Sequence, residues 1–264
     1  MISNLQRSFK KIGADLKIVG AKPRQLTSIL LDVIETDGDE LFEIAIRDEP
    51  RVDMEISVLE VLPKERHLVL LARAMNNDGA LISKEHFLCG HDERHLFVAA
   101  VDGVSTVAAA KDSLKPNHIR ARETGLSALK RNRRHTELFV RQGEWFFEPV
   151  FDLAPPPIRV RRNEPLVRGT GSKAHIAQFA YRQGGEAVRV CRQYPNGLNE
   201  AEYRALIVRE PRAKNFNWRH MVRDMDVFVT GTVRHPDHAT IILHGWHRVF
   251  LNQERRLASL AFLD

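Results

Sequence analysis

VFVTGTVRHPDHATIILHGWHRV, residues 227–249, sets two apolar runs, Val227 to Val233 and Ala239 to Leu243, on either side of a His235-Pro236-Asp237-His238 tetrapeptide. Pro followed by Asp suits the central positions of a tight turn, since Pro presets φ and Asp bonds its own backbone locally. The stretch therefore reads as a β-hairpin, and a four-residue turn brings its end Cα atoms within about 7 Å. His235 and His238 then face each other at the tip, a geometry for metal ligation or acid-base chemistry. Two protonated imidazoles so placed repel, as like charges across strands do. The pair is expected to stay neutral, bind a metal or share a proton.

Working outward, His175 follows the small-residue stretch Gly169-Thr170-Gly171-Ser172-Lys173-Ala174. Three histidines converging match the ligand set of a catalytic zinc site, which keeps a fourth position open for water. The metal expectation is therefore zinc or another divalent cation on His175, His235 and His238, with Asp237 orienting a ring from outside the ligand set. A metal-free alternative has one imidazole remove a proton and another supply one, as in cleavage of RNA by its own 2′ hydroxyl. Arg141, Arg182 or Lys173 would then stabilise phosphate charge. The candidate catalytic set is His175, His235, His238 and Arg141; the competing interpretation is a pair of solvated histidines in which Pro-Asp serves the turn alone.

The order Arg141-Gln142-Gly143-Glu144, then Gly171-Ser172-Lys173-Ala174-His175, then His235-Pro236-Asp237-His238 before Thr240-Ile241-Ile242-Leu243 resembles a set of uncharacterised bacterial and phage proteins over residues 141 to about 250. In that set a Gly-His-x-His turn precedes a His-x-x-His strand. Lys173 stands here where the first of the paired histidines falls, which weakens a four-ligand site and leaves a three-histidine one. The resemblance brings no activity with it.

Further from the hairpin, hairpin texture recurs. SILLDVIETDGDELFEIAIRD turns at Asp37-Gly38, a strong hairpin signal; MEISVLEVLP and HLVLLARAM turn at Pro63 to Arg66; and KEHFLCGHDERHLFVAAVDG turns near Asp92 to Arg94. His91 and His95 bracket that last turn. They lack the helix that a His-Glu-x-x-His protease site needs, although Cys89, His91 and His95 on a hairpin could gather a metal. Leu5, Phe9, Ile12, Leu16 and Val19 recur at near-helical spacing, which predicts a helix over residues 4–19. Residues 104–134 are rich in helix formers and read as a connector between lobes. RHTELFVRQGEWFFEPV also aligns with AHIAQFAYRQGGEAVRV, with one insertion, which raises an internal duplication against chance likeness of two Gly-turn hairpins. Trp145, Phe146 and Phe147 sit at strand spacing and are assigned mainly to the core. The closing RRLASLAFLD is apolar enough to dock on the core.

The chain has 264 residues, 43% hydrophobic and 28% charged, so it is long and apolar enough for two ordered lobes. We place the boundary between a 1–130 β-meander with helices and a 131–264 β-rich, histidine-bearing lobe. The fold class expected is α+β, dominated by antiparallel hairpins and meanders. No apolar run approaches the roughly 18–20 residues of a membrane span, and the N-terminus lacks a signal-peptide core, so a cytoplasmic protein with no membrane partner is expected. Two cysteines, Cys89 and Cys191, lie far apart and exclude a disulfide framework. A net charge of +6 favours polyanionic partners. RNA is favoured over DNA, with Lys130, Arg131, Arg133, Arg134 and Arg182 as the candidate contacts; protein partners are unknown. No P-loop, Rossmann fingerprint, nucleophile elbow or EF-hand loop occurs. The leading expectation is a histidine-based phosphodiesterase or nuclease; the alternatives are a non-catalytic binding module for nucleic acid or protein and a zinc-dependent hydrolase of a small substrate.

Overall fold

The computed structural model describes residues 2–22, 25, 27–168 and 173–254. Strand accounts for 51% of the structure and helix for 18%, so the α+β expectation holds with its weight on β. The described chain divides into two compact units, residues 2–137 with 252–254, and residues 138–251. No helix among the described residues is long and apolar enough to cross a membrane. The closing RRLASLAFLD, residues 255–264, expected to dock on the core, lies outside them.

The first unit runs α1 (Ile2–Lys11), β1 (Leu16–Gly20), β2 (Ile29–Thr36), β3 (Asp39–Ile46), β4 (Val52–Leu62), β5 (His67–Asn76), β6 (Leu81–Asp92), β7 (His95–Val101), α2 (Val107–Ser113), α3 (Asn117–Arg122) and α4 (Ala128–Arg131). The helix predicted over 4–19 is shorter than its periodicity implied. It stops at Lys11, where Gly13 takes φ +76, the left-handed conformation that ends helices. Leu16–Gly20 continues as a strand parallel to β3, with Leu16 opposite Phe42. Apolar spacing could not separate the two, because Leu5, Phe9, Ile12 and Leu16 enter one core from either structure.

The meander β4-β5-β6-β7 is antiparallel throughout. Alternation sends Leu68, Leu70, Ala72, Phe87 and Cys89 to the face covered by α1 and the β1–β3 sheet, while Val69, Leu88, Ala99 and Val101 meet α2 on the other. Burial on both faces is why HLVLLARAM reads as an unbroken apolar run. The stretch expected as a connector is three short helices belonging to this unit, with Val107, Ala110 and Leu114 packed on the meander.

The second unit contains β8 (Val140–Gln142), β9 (Trp145–Val150), β10 (Arg161–Leu166), β11 (His175–Gln183), β12 (Glu186–Cys191), β13 (Tyr194–Leu198), α5 (Glu200–Arg209), β14 (Arg219–Arg223), β15 (Asp226–His235) and β16 (His238–Leu251). Six strands pair in the order β10-β11-β15-β16-β9-β8 and three in the order β13-β12-β14. Every pairing in the two sheets is antiparallel. Trp145, Phe147, Leu166, Ala177, Val229, Val233 and Leu243 form the core of the larger sheet, so two of the three consecutive aromatics pack there. Phe146 is buried against Phe139.

The two Arg-Gln-Gly segments do different things. Arg141-Gln142-Gly143-Glu144 closes the β8–β9 hairpin, Gln142 pairing with Trp145. Arg182-Gln183-Gly184 instead passes the chain from the six-stranded sheet into the three-stranded one, through Gly184 and Gly185 at φ +70 and +86. The likeness is one of turn chemistry, not of repeated topology.

Candidate metal centre

The hairpin that opened the sequence reading forms as β15 and β16, with His235 directly opposite His238. Pro236 and Asp237 make its tip. The Asp237 backbone N–H donates to His235 Nδ1 at 3.1 Å, and the Lys173 backbone also bonds the ring. His175 begins β11, which pairs along β15 with Ile176 opposite Arg234. The register of two adjacent strands thus delivers the third imidazole to the tip.

Ring centroids lie 4.1 Å apart for His175 and His235, 5.5 Å for His175 and His238, and 4.7 Å for His235 and His238. Each residue offers a ring nitrogen within 4.8 Å of the other two, and the three are close enough to hold a metal ion. Three nitrogens at 2.0–2.1 Å from one tetrahedral zinc are about 3.4 Å apart, so small rotations bring them to ligand distance.

Burial sets the electrostatics. His175 is only 1% exposed, and loss of water, reinforced by its two imidazole neighbours, pushes its pKa down to about 3. His235 is lowered too, first by burial and then by His238, while Asp237 and Glu144 act in the opposite direction. Both nitrogens of His175 and Nδ1 of His238 are buried with no hydrogen-bond partner among the described residues. Leaving such a group unpaired costs about 1–3 kcal/mol. Neutral imidazoles with free lone pairs are what a metal requires of its ligands; His175 and His238 offer them as they stand, and His235 does once its Nδ1 is released by the Asp237 N–H.

The β8–β9 turn lies against the cluster. A Cβ added to Gly143 would fall 2.7 Å from His238 Nε2 and 3.4 Å from His175 Nε2, and Gly143 itself has φ +57. Only glycine allows the main chain so close in that conformation. Beside it, the buried Gln142 donates from Nε2 to Ala239 O at 2.6 Å and to Val233 O at 3.4 Å, tying the turn to both strands of the histidine hairpin. Lys173 Nζ reaches both Asp237 carboxylate oxygens at 2.8 Å, joining the start of β11 to the tip.

Other sequence candidates lie elsewhere. Arg141 stands on β8 next to Gln142 and is half-buried. Arg182 is seven residues along β11 from His175, roughly 23 Å at 3.3 Å per residue, and pairs with Glu164 at 3.2 Å. In the first unit, Arg131 binds Asp112 at 2.6 Å and Arg134 binds Asp92 and Glu93, while Lys130 and Arg133 are exposed. Cys89, His91 and His95 do not assemble: Cys89 is sealed in the core, where burial raises its thiol pKa, His91 accepts from Arg66, and His95 donates to Glu40 at 2.7 Å. Gln142 and Gly143 were not singled out as site residues from the sequence. The only signal was the Arg-Gln-Gly turn, and nothing local says what a turn will touch.

No protein-family model matches the chain, and neither the curated proteins nor the solved structures contain a match.

Proposed function

We propose that this protein is a metal-dependent phosphodiesterase acting on RNA, with one divalent cation, zinc by ligand type, held by His175, His235 and His238. The observation that carries this function is the cluster itself: three imidazoles within ligand reach, the most buried of them with both ring nitrogens unpaired. A cation bound there supplies Lewis-acid polarisation of a phosphoryl oxygen and a coordinated water of pKa about 7. His175 anchors the set from inside the sheet, and the half-buried His235 and His238 leave the side toward solvent for substrate. Because Asp237 N–H occupies His235 Nδ1, the neutral ring carries its proton on Nε2. Ligation through Nε2 would require the proton to shift to Nδ1 and the Asp237 N–H to turn away from it.

A metal-free acid-base pair has less support, since it needs one imidazole protonated near neutral pH and the pKa values of His175 and His235 are both lowered. Purely structural histidines are disfavoured by the unpaired buried nitrogens, which apolar side chains would not leave. The net charge of +6 supports a phosphate-bearing substrate over a small neutral one.

Metal analysis of untagged protein is expected to find about one zinc per chain, lost in His175→Ala and His238→Ala, with circular dichroism confirming that each variant folds. Single-stranded RNA should be cleaved with zinc present and spared after chelation. Protein that takes up no zinc, cobalt or manganese sinks the metal centre; protein that binds metal but cleaves neither RNA nor DNA sinks the phosphodiesterase.

A further inference from the structure

On the three-stranded sheet β13-β12-β14, well separated in sequence from the histidines, lies an open groove of about 570 Å³. Val190 and Met221 supply its apolar floor, and Arg192, Pro195, Asn217 and Arg219 stand around it. Val190 pairs directly with Arg219, so the floor and one cationic wall are adjacent strand positions.

The arginines of this region fall into two groups. Arg189 and Arg204 bind Glu200, and Arg223 binds Glu186. Arg192 and Arg219 at the groove are exposed, and neither pairs with a carboxylate among the described residues. Arg212 and Lys214, exposed on the turn Pro211–Asn215 that leads to Asn217, add two more cations with no acidic partner among the described residues. This edge thus carries four exposed positive side chains with no carboxylate partner among the described residues.

Aromatic residues adjoin the groove-lining residues in sequence, and Tyr203 of α5 meets Trp218 edge-on at 5.2 Å. Tyr194 precedes groove-lining Pro195, and Phe216 and Trp218 flank Asn217; Tyr194 and Trp218 stack at 5.8 Å and 20°. All three rings are half-buried. Exposed guanidinium groups that take phosphates, near half-buried aromatic rings, are a combination that single strands use. A duplex hides its bases and offers no face to such rings.

We infer that the groove formed by β12, β14 and the turn before Asn217 binds the backbone of single-stranded nucleic acid, with Arg192 and Arg219 on phosphates and the Tyr194–Trp218 pair beside the bases. This surface is additional to the basic helix end of the first unit, and it goes beyond the histidine centre, on which it does not depend.

The test is fluorescence anisotropy with a labelled twenty-nucleotide oligouridine, in EDTA so that no metal chemistry enters. Wild type should bind with a log–log salt slope that becomes shallower by about 1.4 in Arg192→Ala/Arg219→Ala, two phosphate contacts at about 0.7 each. Affinity at low salt should fall about tenfold or more. The charge-matched Lys84→Ala/Arg209→Ala should bind as wild type, and thermal melts confirm folding of both variants. No binding by wild type, an equal loss in Lys84→Ala/Arg209→Ala or in Lys130→Ala/Arg133→Ala, or duplex RNA bound as tightly as the single strand overturns the inference. A metal-free readout separates failure here from failure of the histidine centre.

Discussion

His175 shows most directly how burial becomes chemistry. Its folded pKa of about 3 lies below the ordinary histidine value of 6.5. The unfolded chain therefore binds more protons between those values, and stability is fully present above pH 6.5 and lost as pH falls toward 3. In metal-stripped protein, urea denaturation at pH 7 and pH 5 should show the second unit losing at most about 1.4 kcal/mol per pH unit from this group. His175→Phe should flatten that slope; an unchanged slope would place the titration elsewhere. Gly143 is the second decisive residue. Gly143→Ala puts a Cβ 2.7 Å from His238 Nε2 at φ +57, which costs about 1–2 kcal/mol in backbone conformation alone and displaces a ligand ring. The expected result, read by competition with a zinc indicator, is zinc affinity weakened about tenfold or more.

At the scale of elements, β11, β15 and β16 carry the three histidines, and the β8–β9 turn fixes the space beside them. Hairpin periodicity and turn chemistry placed β15 and β16 from the sequence, because apolar runs around Pro-Asp leave few alternatives. The pairing of β11 with β15 was not legible, since strands separated by β12, β13, α5 and β14 carry no local mark of partnership. Helix α5 shows a local rule operating in full: Asn199 caps Glu202 N and the Glu202 side chain answers the Asn199 N–H at 2.8 Å. Asn199→Ala should destabilise the second unit by about 1 kcal/mol, measured by chemical denaturation, with zinc content unchanged because α5 contributes no ligand.

At the scale of the molecule, the buried clusters of the two units share no residue: α1, the three- and four-stranded sheets of the first unit and α2 build those of the first, and the six-stranded sheet builds that of the second. All three tryptophans, Trp145, Trp218 and Trp246, lie in the second unit, so tryptophan fluorescence follows it alone. Phe87→Ala removes a fully buried ring from the first core and should cost that unit about 3–5 kcal/mol. The calorimetric profile should then show an earlier transition while the tryptophan-monitored midpoint and the zinc content hold. A midpoint that falls in step would mean the units unfold together.

The sequence by itself determined the hairpins, the β-rich class and the candidate histidines, because period-two burial and turn residues act over a few positions. It could not say that the helix over 4–19 would break at Gly13, since one apolar pattern serves a helix followed by a strand as well as a longer helix. Only the tertiary structure decided that His175 reaches His235 and His238, that Arg182 lies seven residues along β11 from His175 and pairs with Glu164, and that Gly143 closes on the cluster. Those outcomes depend on register between strands distant in sequence, where a shift of one residue would turn every side chain to the other face.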